Sequence, residues 1–246
     1  MPSTGHWEYL FYHLFWTGLD WLYPPNCGGC GKRGFKWCPE CQSNVKLLED
    51  NLCPCCGQNS FNGSICYNCR QHPPVYRAAR SWAVFEGPVQ QALHRLKYDR
   101  DVGLGDSLAQ FMIDLFKRLD WPVDIVVPVP LSSTRMKERG YNQASFLAKP
   151  LALSLGLQYK PQAIQKVRNT RSQVELTASE RRENVKGAFL AKNEIVKNCS
   201  ILIVDDTMTS GATLNSCANA LLDAHAKQVY CLTFARALNP QGDGRK

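Results

Sequence analysis

The chain has 246 residues, 44% hydrophobic and 20% charged, with a formal net charge of +8 and 12 cysteines. That length and apolar content suit one medium globular domain with a small appendage, and they exclude a disordered or collagen-like chain. The positive excess alone is weak evidence for nucleic acid, because metal-bound thiolates would reduce it to roughly +4.

Residues 7–23, WEYLFYHLFWTGLDWLY, predict an aromatic, partly amphipathic helix within an N-terminal segment 1–23. Glu8 and Asp20 interrupt its apolar run, and neither a basic start nor a small-residue cleavage site flanks it. It therefore reads as neither a signal peptide nor a membrane span, and a cytoplasmic location is expected. Packing against the rest of the chain is the expected role.

Nine of the cysteines precede residue 70, and eight of them fall in four pairs of the form C-x2-C: Cys27/Cys30, Cys38/Cys41, Cys53/Cys56 and Cys66/Cys69. Four such knuckles supply two tetrahedral sites of four thiolates each, and the Gly and Pro residues in CGGCGK, CPEC and CPCCG suit the reversals the knuckles need. Disulfides are the competing explanation, and they require an oxidising compartment. Joining 27/30 to 38/41 and 53/56 to 66/69 is the simpler pairing, with an interleaved cross-brace as the alternative. Cys55 is left over, and His72 is the one substitute ligand nearby. Residues 24–72 thus read as a double zinc ribbon. Its two Zn²⁺ ions are structural, since closed four-thiolate sites leave no coordination position for chemistry.

A composition shift at His72-Pro73-Pro74 opens a domain over 75–238, followed by a tail at 239–246. Its pattern alternates strand and helix. Strands are expected at 78–85, 125–127, 163–167, 201–204 and 228–234, with helices at 88–98, 104–119, 142–155 and 212–224. Thr177-x-x-Glu180 matches a capping box for a further helix through Asn184. The fold class is α/β, a doubly wound and mostly parallel sheet. Cys199, Cys217 and Cys231 read as ordinary buried thiols.

Between the strand at 125–127 and the next helix runs PVPLSSTRMKERGYNQ, residues 128–143. It follows the carboxyl end of a strand, the end where open α/β sheets bind ligands. Ser132, Ser133, Arg135, Lys137 and Arg139 are therefore expected on that rim as anion ligands. A grip on the backbone of DNA or RNA is the alternative. From Leu131 to Lys186 there are eleven Lys and Arg against four Asp and Glu, which a basic surface explains as well as a functional patch does.

The most informative stretch is ILIVDDTMTSGATL, residues 201–214. Four apolar β-formers read as a buried parallel strand. Asp205 and Asp206 follow, able to accept hydrogen bonds from two vicinal hydroxyls. Thr207, Thr209, Ser210 and Gly211 then form a turn whose N–H and hydroxyl groups can surround a phosphate, and a helix from about Ala212 adds its dipole. Two adjacent acids can also be a solvated turn or a cap. The order of strand, diacid, hydroxyl loop, glycine and helix favours a sugar phosphate.

This string is similar to the signature by which type I phosphoribosyltransferases bind 5-phosphoribosyl 1-diphosphate (PRPP). The resemblance implies that Asp205 and Asp206 hold the ribose 2′- and 3′-hydroxyls. Thr207, Met208, Thr209, Ser210, Gly211, Ala212 and Thr213 would hold the 5′-phosphate, with Met208 at a variable position. Together with the cysteine knuckles, LKYDRD, PVPLSSTRMKERGYNQ and TRSQVELTASERRENVKGAF, taken in that order, the chain resembles the ComF/GntX family, which joins a double zinc ribbon to a phosphoribosyltransferase-like domain. Nearly the whole chain is covered.

The resemblance implies PRPP with Mg²⁺ as ligand, pyrophosphate leaving toward Ser132, Ser133, Arg135, Lys137 and Arg139, and a link to DNA uptake or the use of DNA as a nutrient. Single-stranded DNA and the DNA-uptake machinery are the expected macromolecular partners. Asp205 and Asp206 are the catalytic candidates. Glu138, His94 and His225 qualify as general base by residue type alone. The other readings are a non-catalytic module that binds single-stranded DNA and a PRPP-responsive regulator. The acceptor is not legible.

Overall fold

The computed structural model describes residues 14, 24–48, 50–99, 101–168 and 178–238. The expected aromatic helix (apart from Leu14), Thr177 of the capping box and the tail lie outside them.

In chain order the helices are α1 Pro39–Ser43, α2 Tyr67–Gln71, α3 Gly87–Tyr98, α4 Val102–Lys117, α5 Ser133–Arg139, α6 Gln143–Leu155, α7 Ala178–Val185, α8 Asn193–Val196 and α9 Ala212–Asp223. The strands are β1 Ala78–Val84, β2 Ile125–Pro128, β3 Gln158–Tyr159, β4 Ile164–Lys166, β5 Phe189–Ala191, β6 Ser200–Met208 and β7 Gln228–Arg236. Five of these make one sheet in the order β1-β7-β6-β2-β3, with every pairing parallel.

The continuous apolar run of β6 follows from burial on both faces. Ile201 and Ile203 join the core that contains Cys217 and Leu221 of α9, whereas Leu202 and Val204 join the opposite core with Leu108 of α4 and Leu147 of α6. Helices on both sides make the sheet doubly wound.

Three elements differ from expectation. The strand foreseen at 163–167 forms as β4, but it pairs antiparallel with β5 in a separate two-stranded unit. The basic loop after β2 contains a helix, α5. Ser132 caps it by accepting from the Arg135 N–H at 3.3 Å, and Gly140 ends it at φ 79°. The diacid strand does not stop at Val204, because β7 carries the pairing on through Thr207↔Ala235 and Met208↔Arg236.

β1 is an edge strand, and the cysteine-rich segment covers it. The Val84 N–H donates to Lys46 O at 2.8 Å, and the Ala79 N–H donates to Cys55 O at 2.7 Å. At Gly57, where φ is +70°, a Cβ would lie 2.5 Å from Ala79 O, so only glycine lets that knuckle approach the strand so closely. Trp37 meets Phe111 of α4 edge-on at 6.2 Å, and Phe111 stacks on Trp82 of β1 at 4.3 Å.

Candidate active-site cleft and metal centres

The eight knuckle cysteines form two separate clusters, Cys27/Cys30/Cys38/Cys41 and Cys53/Cys56/Cys66/Cys69, with the four sulfurs of each within 4.8 Å of one another. The knuckles are thus paired sequentially, and the interleaved alternative does not occur. Sγ separations of 3.6 Å for Cys27–Cys41 and Cys30–Cys38, and 3.7 Å for Cys56–Cys66, are close to the ~3.8 Å edge of a tetrahedron with Zn–S bonds of about 2.3 Å. The donor set fits Zn²⁺. Every ligand is buried except Cys30, and neither Cys55 nor His72 belongs to a cluster.

A cleft of about 680 Å³ opens at the carboxyl ends of β2 and β6. Asp205, Asp206, Thr207, Met208, Thr209, Gly211, Ala212 and Thr213 line it from β6 and the start of α9. Ser132, Arg135 and Arg139 line it from the β2–α6 connection. Ser133 and Lys137 stand exposed on α5 and do not line it. Ser210 borders a second cavity behind the loop, and its Oγ accepts from the Ala212 N–H at 3.4 Å. Glu138 lines the cleft, whereas the His94 ring packs at a tilt against Tyr98 with centroids 4.8 Å apart and His225 lies beyond the far end of α9.

The two acids sit in unlike environments. Asp206 is 3% exposed. Its Oδ1 accepts from Gln143 Nε2 at 2.9 Å, and its Oδ2 accepts from Thr207 Oγ1 at 2.7 Å and forms an ion pair with Lys97 Nζ. Burial pushes its pKa up, but Lys97, Thr207 and Gln143 together outweigh that and hold the carboxyl below the usual range. Asp205 is half-buried, and its Oδ1 accepts from the Asp206 N–H at 2.9 Å. Burial, then the neighbouring Asp206 charge, holds it well above the usual range. The two neighbouring carboxyls are thus shifted in opposite directions, Asp206 down by its cation and hydrogen-bond partners and Asp205 up by burial and its neighbour's charge.

Gln143 is oriented by its other end, since Arg139 Nη1 donates to its Oε1 at 2.8 Å. The Arg139 guanidinium also lies 4.9 Å over the Tyr98 ring. Tyr141 Oη donates to Leu96 O at 2.8 Å and ties the basic connection to α3. Lys97, Tyr98 and Gln143 belong to the LKYDRD and RGYNQ motifs, yet sequence reasoning assigns them no role of their own. Their signal is present as motif, but nothing local shows that α3 reaches β6. Lys166 of β4 and Phe189 of β5 line the cleft from the two-stranded unit, and Arg181 lines it from α7; burial, then Arg135, lowers the Lys166 pKa.

The cysteine clusters and the cleft agree with two family models, a double zinc ribbon domain over residues 18–70 and a phosphoribosyl transferase domain over residues 109–246. The chain is 36% identical over 204 residues to DNA utilization protein YhgH of Salmonella typhimurium, covering 79% of this chain and 88% of that protein. The chain belongs to the ComF/GntX family. Within that family it is 26% identical over 223 residues to Competence protein F of Haemophilus influenzae, covering 81% of this chain and 96% of the relative. It is 28% identical over 212 residues to Competence protein ComFC of Bacillus subtilis, covering 82% and 85%. ComF/GntX membership accounts for the pairing of a parallel sheet with two four-thiolate sites. No helix among the described residues is long and apolar enough to cross a membrane.

Proposed function

We propose that this protein binds PRPP with Mg²⁺ in the cleft and transfers the phosphoribosyl group to a nucleobase-type acceptor, releasing pyrophosphate. The observation that supports it is the convergence, on one cleft, of a diacid, a glycine-containing hydroxyl loop at a helix N-terminus and the cations Lys97, Arg135 and Arg139. Asp205 and Asp206 accept the two ribose hydroxyls, and the Thr207–Thr213 loop takes the 5′-phosphate. Attack by an acceptor nitrogen forms a bond to ribose C1 as the bond from C1 to the diphosphate oxygen breaks, with inversion.

Negative charge grows on the leaving group, and Arg135 and Arg139, which line the cleft, are the cations that stabilise it. Asp205 and Asp206 would be the hard oxygen donors available to hold Mg²⁺, which would supply charge neutralisation to the diphosphate. Glu138 is the one carboxylate lining the cleft outside the diacid, among the described residues, and it is the candidate to take the acceptor's proton. Calorimetric titration of PRPP with Mg²⁺ tests the reading: the wild type should give a saturable isotherm, and Asp205→Asn with Asp206→Asn should abolish it while zinc content stays at two per chain. Normal PRPP binding by that variant would remove the diacid from the ribose site.

A second reading, a module for single-stranded DNA, draws on the second ribbon, where Phe61 and Tyr67 are 85% and 70% exposed close in sequence to Arg70. Exposed aromatic faces with a nearby cation suit base stacking, and the names of the relatives point to DNA. A silent PRPP titration together with salt-dependent binding of single-stranded DNA would favour this reading.

A further inference from the structure

Arg236, the last residue of β7, is 4% exposed. Its Nη1 donates to Cys56 O at 2.6 Å and to Met208 Sδ at 3.0 Å, and its Nη2 lies 3.7 Å from Cys56 Sγ and 3.3 Å from Gln58 Oε1. Among the described residues no carboxylate pairs with it. A buried guanidinium requires a counter-charge. Cys56 belongs to the second four-thiolate cluster, which carries about −2 when it holds Zn²⁺ and supplies that charge.

The other end of the contact reaches the phosphate loop. Met208 is 2% exposed and directly opposite Arg236 in the β6–β7 register. Its Cε lies 2.7 Å from where a Cβ on Gly211 would stand, and Tyr76 Oη lies 3.3 Å from the same point. Gly211, at φ 79°, is the N-cap of α9 and lines the cleft. Side-chain contacts thus join a metal ligand to the turn that would receive a phosphate.

We propose that Arg236 is a positioning residue that couples the second zinc centre to the phosphate loop. Metal-bound Cys56 fixes the guanidinium, the guanidinium fixes Met208, and Met208 with Tyr76 holds the Gly211 turn in its binding conformation. The inference rests on the PRPP reading of that loop. It also gives the variable position of the signature a role, since the Met208 sulfur contacts Arg236. Coupling of this kind is reciprocal, so ligand binding at the loop must be felt at the metal.

The test uses the full chain with Co²⁺ in place of Zn²⁺, so that the thiolate charge-transfer and ligand-field bands report on the clusters. PRPP with Mg²⁺ should shift those bands in the wild type. In Arg236→Met the shift should vanish and PRPP should bind on the order of tenfold more weakly, with two metals still bound per chain. Arg236→Lys, which keeps the charge but cannot span both partners, should recover part of the affinity. The wild-type spectrum decides even where a variant fails to fold. Bands that stay fixed while PRPP binds would overturn the coupling and leave the PRPP site standing. A silent PRPP isotherm in the wild type would remove both.

Discussion

Lys97 of α3 and Asp206 of β6 form an ion pair within the cleft, with the lysine side chain 20% and the aspartate side chain 5% exposed. With Gln143 and Thr207 on the same carboxylate, the pair keeps Asp206 ionised in the absence of ligand. Asp205, without such a cation of its own, is shifted the other way, upward by burial and by the Asp206 charge.

Removing one partner of the pair should cost more than removing both. Lys97→Met should destabilise the fold by about 2–3 kcal/mol, below the range for a fully buried pair because the lysine is partly wet. Adding Asp206→Asn should recover part of the loss. Denaturant midpoints for the two single variants and the double variant measure the coupling. Strictly additive effects would show that the pair contributes nothing.

The two acids should make opposite contributions to stability as pH changes. Asp205 is raised in the folded chain, so the stability it confers is present in acid and lost as pH rises from the ordinary carboxylate range, about 4, through its raised value. Asp206 is lowered, so its contribution is present above that range and lost as pH falls through its lowered value. Asp205→Asn should therefore raise the melting temperature of the ligand-free protein near neutral pH, and Asp206→Asn should lower it. Thermal unfolding across pH separates them.

An ionised carboxylate is the stronger acceptor for ribose hydroxyls, so PRPP binding should pull the raised Asp205 pKa down and release protons. The calorimetric enthalpy should then depend on the ionisation heat of the buffer, and affinity should improve as pH rises. An enthalpy independent of buffer would place the titrating group elsewhere.

Gly211→Val meets two penalties. A β-branched residue at φ +79° is strained by roughly 1–2 kcal/mol, and its Cβ would begin 2.7 Å from Met208 Cε. Stability should fall by at least that amount and PRPP binding should be lost, both read from one preparation by denaturation and calorimetry. Binding retained at wild-type strength would place the phosphate away from this turn.

At the ribbon, Cys30→Ser should lower the zinc content from two toward one per chain, whereas Cys55→Ser should leave it at two. Metal analysis after desalting distinguishes them. Unchanged stoichiometry in Cys30→Ser would exclude Cys30, the one exposed member of its cluster, from the ligand set.

The sequence alone determined whatever is written in local order. The C-x2-C spacing marked the four knuckles because each brings its two sulfurs together within four residues, whereas which knuckles share a site came from the tertiary structure. The unbroken apolar run at 201–204 identified a central parallel strand because only burial on both faces removes the alternation. The diacid, loop and glycine stood in the order their chemistry needs. Tertiary structure decided what depends on distant segments meeting: that Lys97 and Gln143 fix Asp206, that Asp205 is the raised member of the diacid, that β4 leaves the main sheet, and that Arg236 contacts both Cys56 and Met208. Burial and charge pairing are properties of packed neighbours, and no spacing along the chain encodes which helix will lie over which strand.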